Sequence, residues 1–301
     1  MAERIRVHLL DGTYELFRHY FAVPSRLDAA GRERGAVVGV LASVIRMFED
    51  GATHLGVATD HIIESFRNEL WAGYKTGADI DPVLFEQFAP LEDALRALGV
   101  VVWPMVEFEA DDALAAAAAR AALVVEVERV FVCTPDKDLA QCVIEERVVQ
   151  LDRRAGTIRD AAGVEARFGV RPASIPDYLA LVGDSADGFP GLPGWGAKST
   201  AIVLGKYRRL EEIPVDPSTW AVRLPRAAPL GATLREQWAD ALLFRTLATL
   251  RTDIDVFTDI DELRWRGPTA EFEAFSGAFG VPELALRAQA VADRRPRRTS
   301  D

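Results

Sequence analysis

Residues 130–139 read VFVCTPDKDL, and this stretch decides the fold. Its first four residues, Val130–Cys133, form an apolar run of the length of a buried strand. The turn that follows contains Asp136 and Asp138, two carboxylates two positions apart. In an open α/β sheet, ligands bind beyond the carboxyl ends of parallel strands. The stretch therefore predicts a buried parallel strand that delivers acidic side chains to a binding edge.

Four further apolar runs look like this strand, and amphipathic stretches separate them. The predicted strands are Ile5–Leu10, His54–Thr59, Val100–Trp103 and Val148–Leu151. The predicted helices are Gly35–Asp50, Pro82–Leu98 and Asp111–Val125. Alternating strands and helices predict an α/β fold with a mainly parallel central sheet flanked by helices.

The pattern changes near residue 165, where strand alternation gives way to short helices broken by Gly- and Pro-rich turns. We expect an α/β metal-binding core over residues 1–165 and a helical module over residues 166–289. Residues 290–301 contain the sequence RRPRR and are expected to form a flexible basic tail.

Acidic residues follow the other predicted strands as well. The acids at the predicted edge are Asp11, Asp60, Glu109, Asp111, Asp112, Asp136 and Asp138. One aspartate after a strand is more often a turn or N-cap residue than a ligand, so the argument depends on their co-occurrence. Such a cluster would repel itself unless cations neutralised it or several groups bound protons.

The ligand atoms at this edge are predicted to be oxygen. All four histidines lie within the first 61 residues, and none has a histidine partner at zinc-like spacing. Oxygen ligands suit hard ions such as Mg²⁺ or Mn²⁺. More carboxylates than one ion can use imply two ions, one to activate water and one to stabilise the leaving oxygen.

A second motif occupies residues 181–201, which read LVGDSADGFPGLPGWGAKSTA. Two more acids, Asp184 and Asp187, precede a glycine-rich turn, and a helix is predicted to start near Ala197. Glycines allow close backbone approach, and the amides of a helix N-terminus can hold a phosphate oxygen. The pattern predicts a helix-hairpin-helix that grips a DNA backbone, although an ordinary Gly/Pro helix connection would read similarly. The predicted DNA contacts are Gly191, Gly194, Gly196 and Lys198.

The overall charge at first argues against a polyanionic partner. The chain has 35 basic and 46 acidic residues, a formal net charge of −11, whereas nucleic-acid binders are usually basic. The family resemblance given in the next paragraph assigns nine of those acids to a metal centre, and setting nine negative charges aside from −11 leaves −2. We expect modest, metal-dependent DNA binding through a few cations. With two cysteines and no long apolar run, we expect a cytoplasmic protein without a membrane segment.

The motifs, taken in order, resemble the bacterial 5′-nuclease family: the 5′→3′ exonuclease domain of DNA polymerase I and the stand-alone flap endonucleases. The matching stretches are Asp11-Gly12 with Arg18, Gly35–Leu41, Phe66-Arg67 with Tyr74-Lys75, Glu109–Asp112, Asp136–Leu139 and Gly183–Asp187. The resemblance implies a PIN-like nuclease core with a C-terminal helix-hairpin-helix module.

The resemblance also implies roles for single residues. All nine carboxylates would ligate metal directly or through water, with Asp111, Asp112, Asp136 and Asp138 building the tighter site and Asp184 and Asp187 the second. Arg18, Arg67 and Lys75 would contact the scissile phosphate, and Tyr74 would stack on a terminal base. Residues 66–85 would form a helical arch through which a 5′ single strand passes. A K⁺ ion would bind at the hairpin.

The implied activity is that of a two-metal 5′→3′ exonuclease and flap endonuclease. Its substrates would be DNA with 5′ flaps, nicks or 5′ ends and RNA-primer hybrids, in replication and repair. We expect a monomer, functionally linked to a DNA polymerase, in the bacterial cytoplasm near the nucleoid.

The sequence departs from the family pattern at three places. Pro135 stands where a small residue is usual, Ala78 and Asp79 stand where an arginine is common, and Gly188 replaces an asparagine. Two alternatives stay open. The chain could be a catalytically weak DNA-junction binder of the same fold, or an Asp-nucleophile phosphatase, as Asp11-Gly12-Thr13 suggests.

Overall fold

A six-stranded sheet lies at the centre of the protein, as seen in a computed structural model that describes residues 4–295. The strands are β1 (Ile5–Asp11), β2 (His54–Asp60), β3 (Val101–Met105), β4 (Val127–Cys133), β5 (Val148–Asp152) and β6 (Thr157–Arg159). Their order is β3-β2-β1-β4-β5-β6, and all neighbours are parallel except β5 and β6.

Helices cover both faces of the sheet and build a separate layer beside it. The helices are α1 (Gly12–Tyr20), α2 (Gly35–Glu49), α3 (Phe66–Leu70), α4 (Pro82–Phe85), α5 (Phe88–Ala97), α6 (Ala110–Ala122), α7 (Ala161–Phe168), α8 (Ile175–Val182), α9 (Ala197–Tyr207), α10 (Ala227–Glu236), α11 (Trp238–Ala248), α12 (Phe272–Ala278) and α13 (Pro282–Asp293). The predicted α/β class and mainly parallel sheet are confirmed.

The topology of the sheet fixes where its binding crevice lies. From the central strand β1 the chain adds β2 and β3 on one side, and then β4 and β5 on the other. The crevice of such a sheet forms where the strand order reverses, at the carboxyl ends of β1 and β4. Asp11 ends β1, and the Asp136–Asp138 turn follows β4. The quoted stretch and the first acidic turn therefore meet in one crevice.

The predicted helix over residues 82–98 is two helices. α4 ends at Phe85, and α5 begins only at Phe88. Between them Gln87 is fully buried, where its side chain donates to the Val83 carbonyl oxygen and accepts from the Val37 amide. These hydrogen bonds of the Gln87 side chain stabilise the break between α4 and α5. The short edge strand β6 was not predicted.

The segment predicted as a helical arch is also broken. Within residues 66–85 the structure has α3, a single 3₁₀ turn over Gly77–Asp79, and α4. Trp71 ends α3 with an extended backbone, and Tyr74 is buried in the core of the helical module. The segment lies on the body of the protein because Trp71 and Tyr74 pack into the core of the helical module.

The helical module ends earlier than residue 289. Its core extends to Ala248, and the chain beyond Leu250 packs back on the sheet layer. Trp265 stacks on Phe48 of α2 with ring centroids 4.0 Å apart, and its indole N–H donates to the Leu98 carbonyl oxygen at 2.7 Å. Helices α12 and α13 therefore belong to the α/β layer.

The first residues of the predicted flexible tail, 290–293, are helical. Helix α13 continues to Asp293, and the Arg295 guanidinium lies 4.7 Å from the Trp265 ring centroid and donates to the Phe48 carbonyl oxygen at 3.1 Å. Residues 296–301 of the predicted tail lie outside the described residues. Among residues 4–295, no helix combines the length and the apolar character that a membrane crossing requires.

Candidate metal centre

Four carboxylates meet at the predicted edge of the sheet. Asp11 and Asp60 end β1 and β2, Asp111 lies in the first turn of α6, and Asp136 follows β4. Burial, together with the charges of Asp60 and Asp136, raises the pKa of Asp11 to about 7. Burial and the neighbouring charges of Asp136 and Asp11 raise the pKa of Asp111 well above its usual value. We call these four residues the strand-end group.

A second group consists of Asp138, Asp184 and Asp187. One carboxylate oxygen from each lies within 4.8 Å of the others. Asp138 opens a 3₁₀ turn after β4, whereas Asp184 and Asp187 come from the loop that follows α8. Burial and the charge of Asp136 raise the pKa of Asp138, so the two groups interact through these neighbouring aspartates. We call this second set the loop group.

The donor set fits hard divalent ions. Asp138 Oδ1 is buried and has no hydrogen-bond partner among the described residues. A buried carboxylate oxygen left without a donor is costly unless it is protonated or meets a cation. Burial and like charges favour the protonated forms of Asp11, Asp111 and Asp138. Oxygen-only ligands of this kind suit Mg²⁺ or Mn²⁺.

Two lysines supply positive charge to the loop group. Lys75 Nζ lies 2.9 Å from Asp187 Oδ1 and 2.7 Å from Glu109 Oε2, and Lys137 Nζ lies 2.8 Å from Asp184 Oδ2. Although burial opposes it, the charges of Glu109 and Asp187 raise the pKa of Lys75 well above its usual value. Each ammonium therefore stays charged and sits on a carboxylate that could bind metal.

Replacing Lys75 with methionine is expected to tighten binding of a divalent ion at the loop group by about tenfold. The ammonium competes for Asp187, and removing one positive charge a few ångströms away is worth at least ~1.4 kcal/mol at an effective dielectric constant of about 20. Titration with Mn²⁺, followed by the paramagnetic resonance of the free ion, measures this. Lys198→Met, which changes an exposed lysine, should leave the affinity unchanged. Equal affinities in both variants would contradict the competition.

Asp112 and Arg67 form a buried ion pair next to Glu109. The guanidinium makes two contacts of 2.7 Å to the Asp112 carboxylate, and its Nε donates to the Leu247 carbonyl oxygen at 2.8 Å. Both side chains are fully buried. The predicted phosphate contact of Arg67 is corrected, because its side chain is fully buried and engaged. The predicted metal contact of Asp112 stays a prediction, and a direct contact would have to displace Arg67.

The Glu109 carboxylate accepts hydrogen bonds from several side chains. Its Oε1 accepts from Ser65 Oγ at 2.7 Å and from Arg67, and its Oε2 accepts from Lys75 and from the Tyr74 hydroxyl at 3.3 Å. Although burial opposes it, Lys75 and Arg67 lower the pKa of Glu109. The carboxylate is therefore charged and fully engaged, so its predicted metal contact would have to displace one of these donors.

Tyr74 cannot stack on a base in this conformation. Its ring is 3 % exposed and packs in the core of the helical module. The predicted base contact is therefore corrected: the hydroxyl holds Glu109 in place. The sequence Tyr74-Lys75 identified the right segment but not which way its aromatic ring faces.

Arg18 lies two turns along α1 from Asp11 and pairs with Glu15. Glu15 is almost fully buried and also accepts from Arg153 Nη1 at 3.1 Å. The sequence reasoning missed Glu15 and Arg153, and no spacing signal marks them, because 138 positions separate them. The predicted phosphate contact of Arg18 stays a prediction.

Lys137 was also missed as a site residue, although a signal was present. It is one of only four lysines in a chain that otherwise uses arginine, and it lies between Asp136 and Asp138. Its contact with Asp184 joins the turn after β4 to the loop after α8. This ion pair links the sheet to the helical module at the metal-binding edge.

The predicted hairpin has the expected backbone geometry. Helix α8 ends at Val182 and α9 starts at Ala197, and Gly191 and Gly194 between them have φ of +69° and +83°. A Cβ on Gly191 would come 2.3 Å from the Gly183 nitrogen, so only glycine fits. Gly196 is the N-cap of α9, and Lys198 is exposed in its first turn. DNA contact by Gly191, Gly194, Gly196 and Lys198 stays a prediction.

The phosphatase alternative loses support at Asp11. Its Oδ1 accepts from the Tyr14 amide at 2.8 Å as the N-cap of α1, and its Oδ2 accepts from the Thr134 hydroxyl at 3.1 Å. Such a phosphatase would also need an acid two residues after the nucleophile, and Thr13 stands at that position.

Both halves of the chain match families of known proteins. Residues 6–169 match the family described as 5′-3′ exonuclease, N-terminal resolvase-like domain, and residues 170–271 match 5′-3′ exonuclease, C-terminal SAM fold. DNA polymerase I of Pseudomonas aeruginosa is 34 % identical over 268 residues, which are 85 % of this chain and 28 % of the polymerase. The 5′-3′ exonuclease of Aquifex aeolicus is 29 % identical over 264 residues, which are 87 % of each chain.

Solved structures share the fold at low sequence identity. The T5 5′-exonuclease with bound zinc has a TM-score of 0.64 and 17 % identity, and the match covers 96 % of this chain and 98 % of that one. The catalytic core of Rad2 in complex with DNA has a TM-score of 0.62 and 14 % identity, and the match covers 96 % and 93 %. This chain spans less than a third of the polymerase relatives that it matches.

Proposed function

The chain belongs to the 5′-3′ exonuclease family, and from this premise we propose that it is a divalent-metal-dependent, structure-specific nuclease acting on the 5′ strand of DNA. The observation that carries the proposal is the presence of the strand-end group and the loop group at one edge of the sheet, the loop group containing Asp138 Oδ1, which has no hydrogen-bond partner among the described residues. Its substrates are 5′ ends, nicks and flaps of DNA, and RNA-primer hybrids.

Each of the two carboxylate groups would hold one ion. Asp11, Asp60, Asp111 and Asp136 would hold one ion, and Asp138, Asp184 and Asp187 the other, with Mg²⁺ or Mn²⁺ as the metal. When bound, such ions supply Lewis-acid stabilisation of the charge that develops in phosphodiester hydrolysis. Asp11, Asp138 and Asp184 are buried, so bulk water screens the charges of these three carboxylates less.

The chain's own cations would then position the DNA. Lys75 and Lys137 lie at the loop group, where a displaced ammonium can meet a phosphate oxygen as a point charge. The turn between α8 and α9 would hold the duplex backbone, together with a K⁺ ion. We further propose a monomeric enzyme of the bacterial cytoplasm that works with a DNA polymerase; the homology to DNA polymerase I motivates this link.

Cleavage of labelled 5′-flap and nicked DNA tests the function. With Mg²⁺ or Mn²⁺ we expect products released from the 5′ strand, and an excess of EDTA should stop the reaction. If the protein binds a DNA junction tightly but cleaves it with neither metal, the non-catalytic alternative would be favoured instead. Cleavage that persists in EDTA would reject the metal-dependent mechanism.

Lys198→Ala is expected to weaken DNA binding and to flatten its salt dependence. Loss of one phosphate contact should reduce the slope of log affinity against log salt by about 1. Fluorescence anisotropy at several salt concentrations measures the slope. Arg46→Ala is the matched control, because Arg46 is exposed on α2, outside the helical module. A slope that changes equally in both variants would count against the hairpin contact.

A further inference from the structure

The surface of α9 is positively charged in a chain whose formal net charge is −11. Residues 188–209 include the hairpin and the whole of α9, and they contain no aspartate or glutamate. At 3.6 residues per turn, Lys198 and Gly205 lie about 20° apart around the helix axis, and Lys206 lies about 80° from Lys198. One exposed face without acidic residues therefore runs along the helix. The exposed cations on α9 and directly after it are Lys198, Lys206, Arg208 and Arg209.

These four cations have no partner within the protein. In the helical module, Arg245 pairs with Asp177 at 3.1 Å and with Glu211 at 2.7 Å. Lys137 pairs with Asp184. Among residues 4–295, none of the four cations of α9 takes part in an ion pair or a side-chain hydrogen bond. Their charges are therefore not neutralised by the protein and are available to an anionic ligand.

The backbone directly after α9 holds Arg208 in an uncommon conformation. Arg208 has φ of +66° and ψ of −39°, and the Arg209 amide donates to the Tyr207 carbonyl oxygen at 2.8 Å. This is a γ-turn of the strained class, in the region of φ that favours glycine. The turn leaves both arginines exposed while Leu210 returns to the core. An arginine in such a conformation points to a use for its side chain.

A further arginine lies on the loop that packs against the end of α9. The Tyr207 hydroxyl accepts from the Ala221 amide at 2.6 Å, which brings this loop to the end of the helix. Arg223 follows two residues later and is exposed. We call Arg208, Arg209 and Arg223 the arginine patch.

The ligand that fits this arrangement is the backbone of double-stranded DNA. Helix α9 has 11 residues, so about 16 Å separate Lys198, next to the hairpin, from the arginine patch at the other end. A duplex rises about 3.4 Å per base pair and carries a negative charge for every ~1.7 Å of its axis. The length of α9 therefore corresponds to about 5 base pairs of continuous negative charge.

We propose that the arginine patch is a second duplex-binding site, which contacts the DNA backbone about 5 base pairs from the phosphate held at the hairpin. This inference rests on the proposed nuclease function, because it concerns the duplex part of the same substrate. Contacts to phosphates carry no sequence information, so the site adds affinity for any duplex that is long enough to reach it. An acidic protein partner would meet the same charges but would give no dependence on duplex length.

The test measures binding to nicked DNA whose duplex arm is shortened one base pair at a time. Fluorescence anisotropy is recorded with Ca²⁺ in place of Mg²⁺. The affinity of the wild type should rise at least about fivefold over the last ~5 base pairs before it becomes constant. Arg208→Gly/Arg209→Ala should reach its constant affinity about 5 base pairs earlier, and its slope of log affinity against log salt should be smaller by about 2. The same length dependence and slope in both proteins would overturn the proposal.

Two matched controls separate the patch from overall charge and from the backbone. Arg46→Ala/Arg294→Ala also removes two exposed arginines, but outside the helical module, and should keep the wild-type length dependence. Glu145→Gly places glycine at the other non-glycine residue with positive φ among residues 4–295, and should keep the wild-type affinity. A loss of length dependence in either control equal to that in the patch variant would reject the site.

Arg208→Gly alone should lower DNA affinity while leaving the protein at least as stable to urea as the wild type, because glycine relieves the turn. Wild-type affinity in this variant would contradict the role of Arg208. None of these binding measurements requires cleavage. A wild-type protein that shows the length dependence but cuts no DNA with Mg²⁺ or Mn²⁺ would reject the nuclease function and leave the second duplex-binding site in place.

Discussion

Asp138→Asn is expected to lower the rate of DNA cleavage by about 10³-fold or more, because stabilisation by a bound metal ion is worth several kcal/mol and each ~1.4 kcal/mol is tenfold. Asp138 is the member of the loop group whose buried Oδ1 has no hydrogen-bond partner among the described residues. An amide keeps the shape of the side chain but removes the charge that a divalent ion requires.

DNA binding by this variant should stay within about threefold of the wild type, since the exposed cations of the helical module are untouched. Single-turnover cleavage and fluorescence anisotropy with Ca²⁺ measure the two effects separately. Removing a charge from a crowded acidic cluster should also leave the metal-free protein as stable as the wild type, or slightly more stable. Asp255→Asn, at an exposed position, is the matched control and should behave like the wild type. A parallel loss of binding and rate would contradict the assignment of Asp138 to metal binding.

Arg67→Met is expected to lower the free energy of unfolding by about 3–5 kcal/mol, the usual cost of removing one partner from a buried ion pair. The substitution leaves the carboxylates of Asp112 and Glu109 buried without their shared cation. It also leaves the carbonyl oxygens of Leu247 and Thr249 without donors. Urea unfolding followed by circular dichroism measures the change.

The matched control is Arg46→Met, which breaks the exposed pair of Arg46 with Asp50. Exposed pairs contribute about 0–1 kcal/mol, so this variant should unfold almost as the wild type does. A variant of Arg67 that keeps its stability but loses DNA affinity would restore the phosphate contact predicted from the sequence. Adding Asp112→Leu to Arg67→Met should recover part of the lost stability, because the buried charge is then removed as well.

The sequence predicts the sheet and the site edge well because both depend on local patterns. An apolar run followed at once by Asp11, or by Asp136 and Asp138, specifies a buried strand and its exit turn together. Parallel strands then bring these turns to one edge of the sheet, whichever helices connect the strands. The glycines at 191 and 194 were equally readable, since both have a positive φ and Gly191 also lies at a close backbone approach.

The partners of charged side chains depend on contacts between distant parts of the chain. Arg67 and Asp112 are 45 positions apart, and nothing local indicates that an arginine next to Phe66 turns inward. Residues 71–81 show the same limit, since Trp71 bonds to Gly188 and Asp81 to Tyr20, and both partners lie far away in sequence. Residues 250–295 likewise return to the sheet layer because they cover an apolar face that the rest of the chain leaves uncovered, and no local pattern shows which face that is.

The buried guanidinium of Arg67 has a consequence for how the molecule moves. It joins α3, the first turn of α6 and the carbonyl oxygens at the end of α11, and so connects the sheet layer to the helical layer through one desolvated cation. A hinge between the two layers would have to expose or strip that cation, at a cost comparable to a large part of the net stability of a protein. The two layers should therefore unfold in one cooperative transition, and substrate selection must rely on a preorganised cleft rather than on interdomain closure.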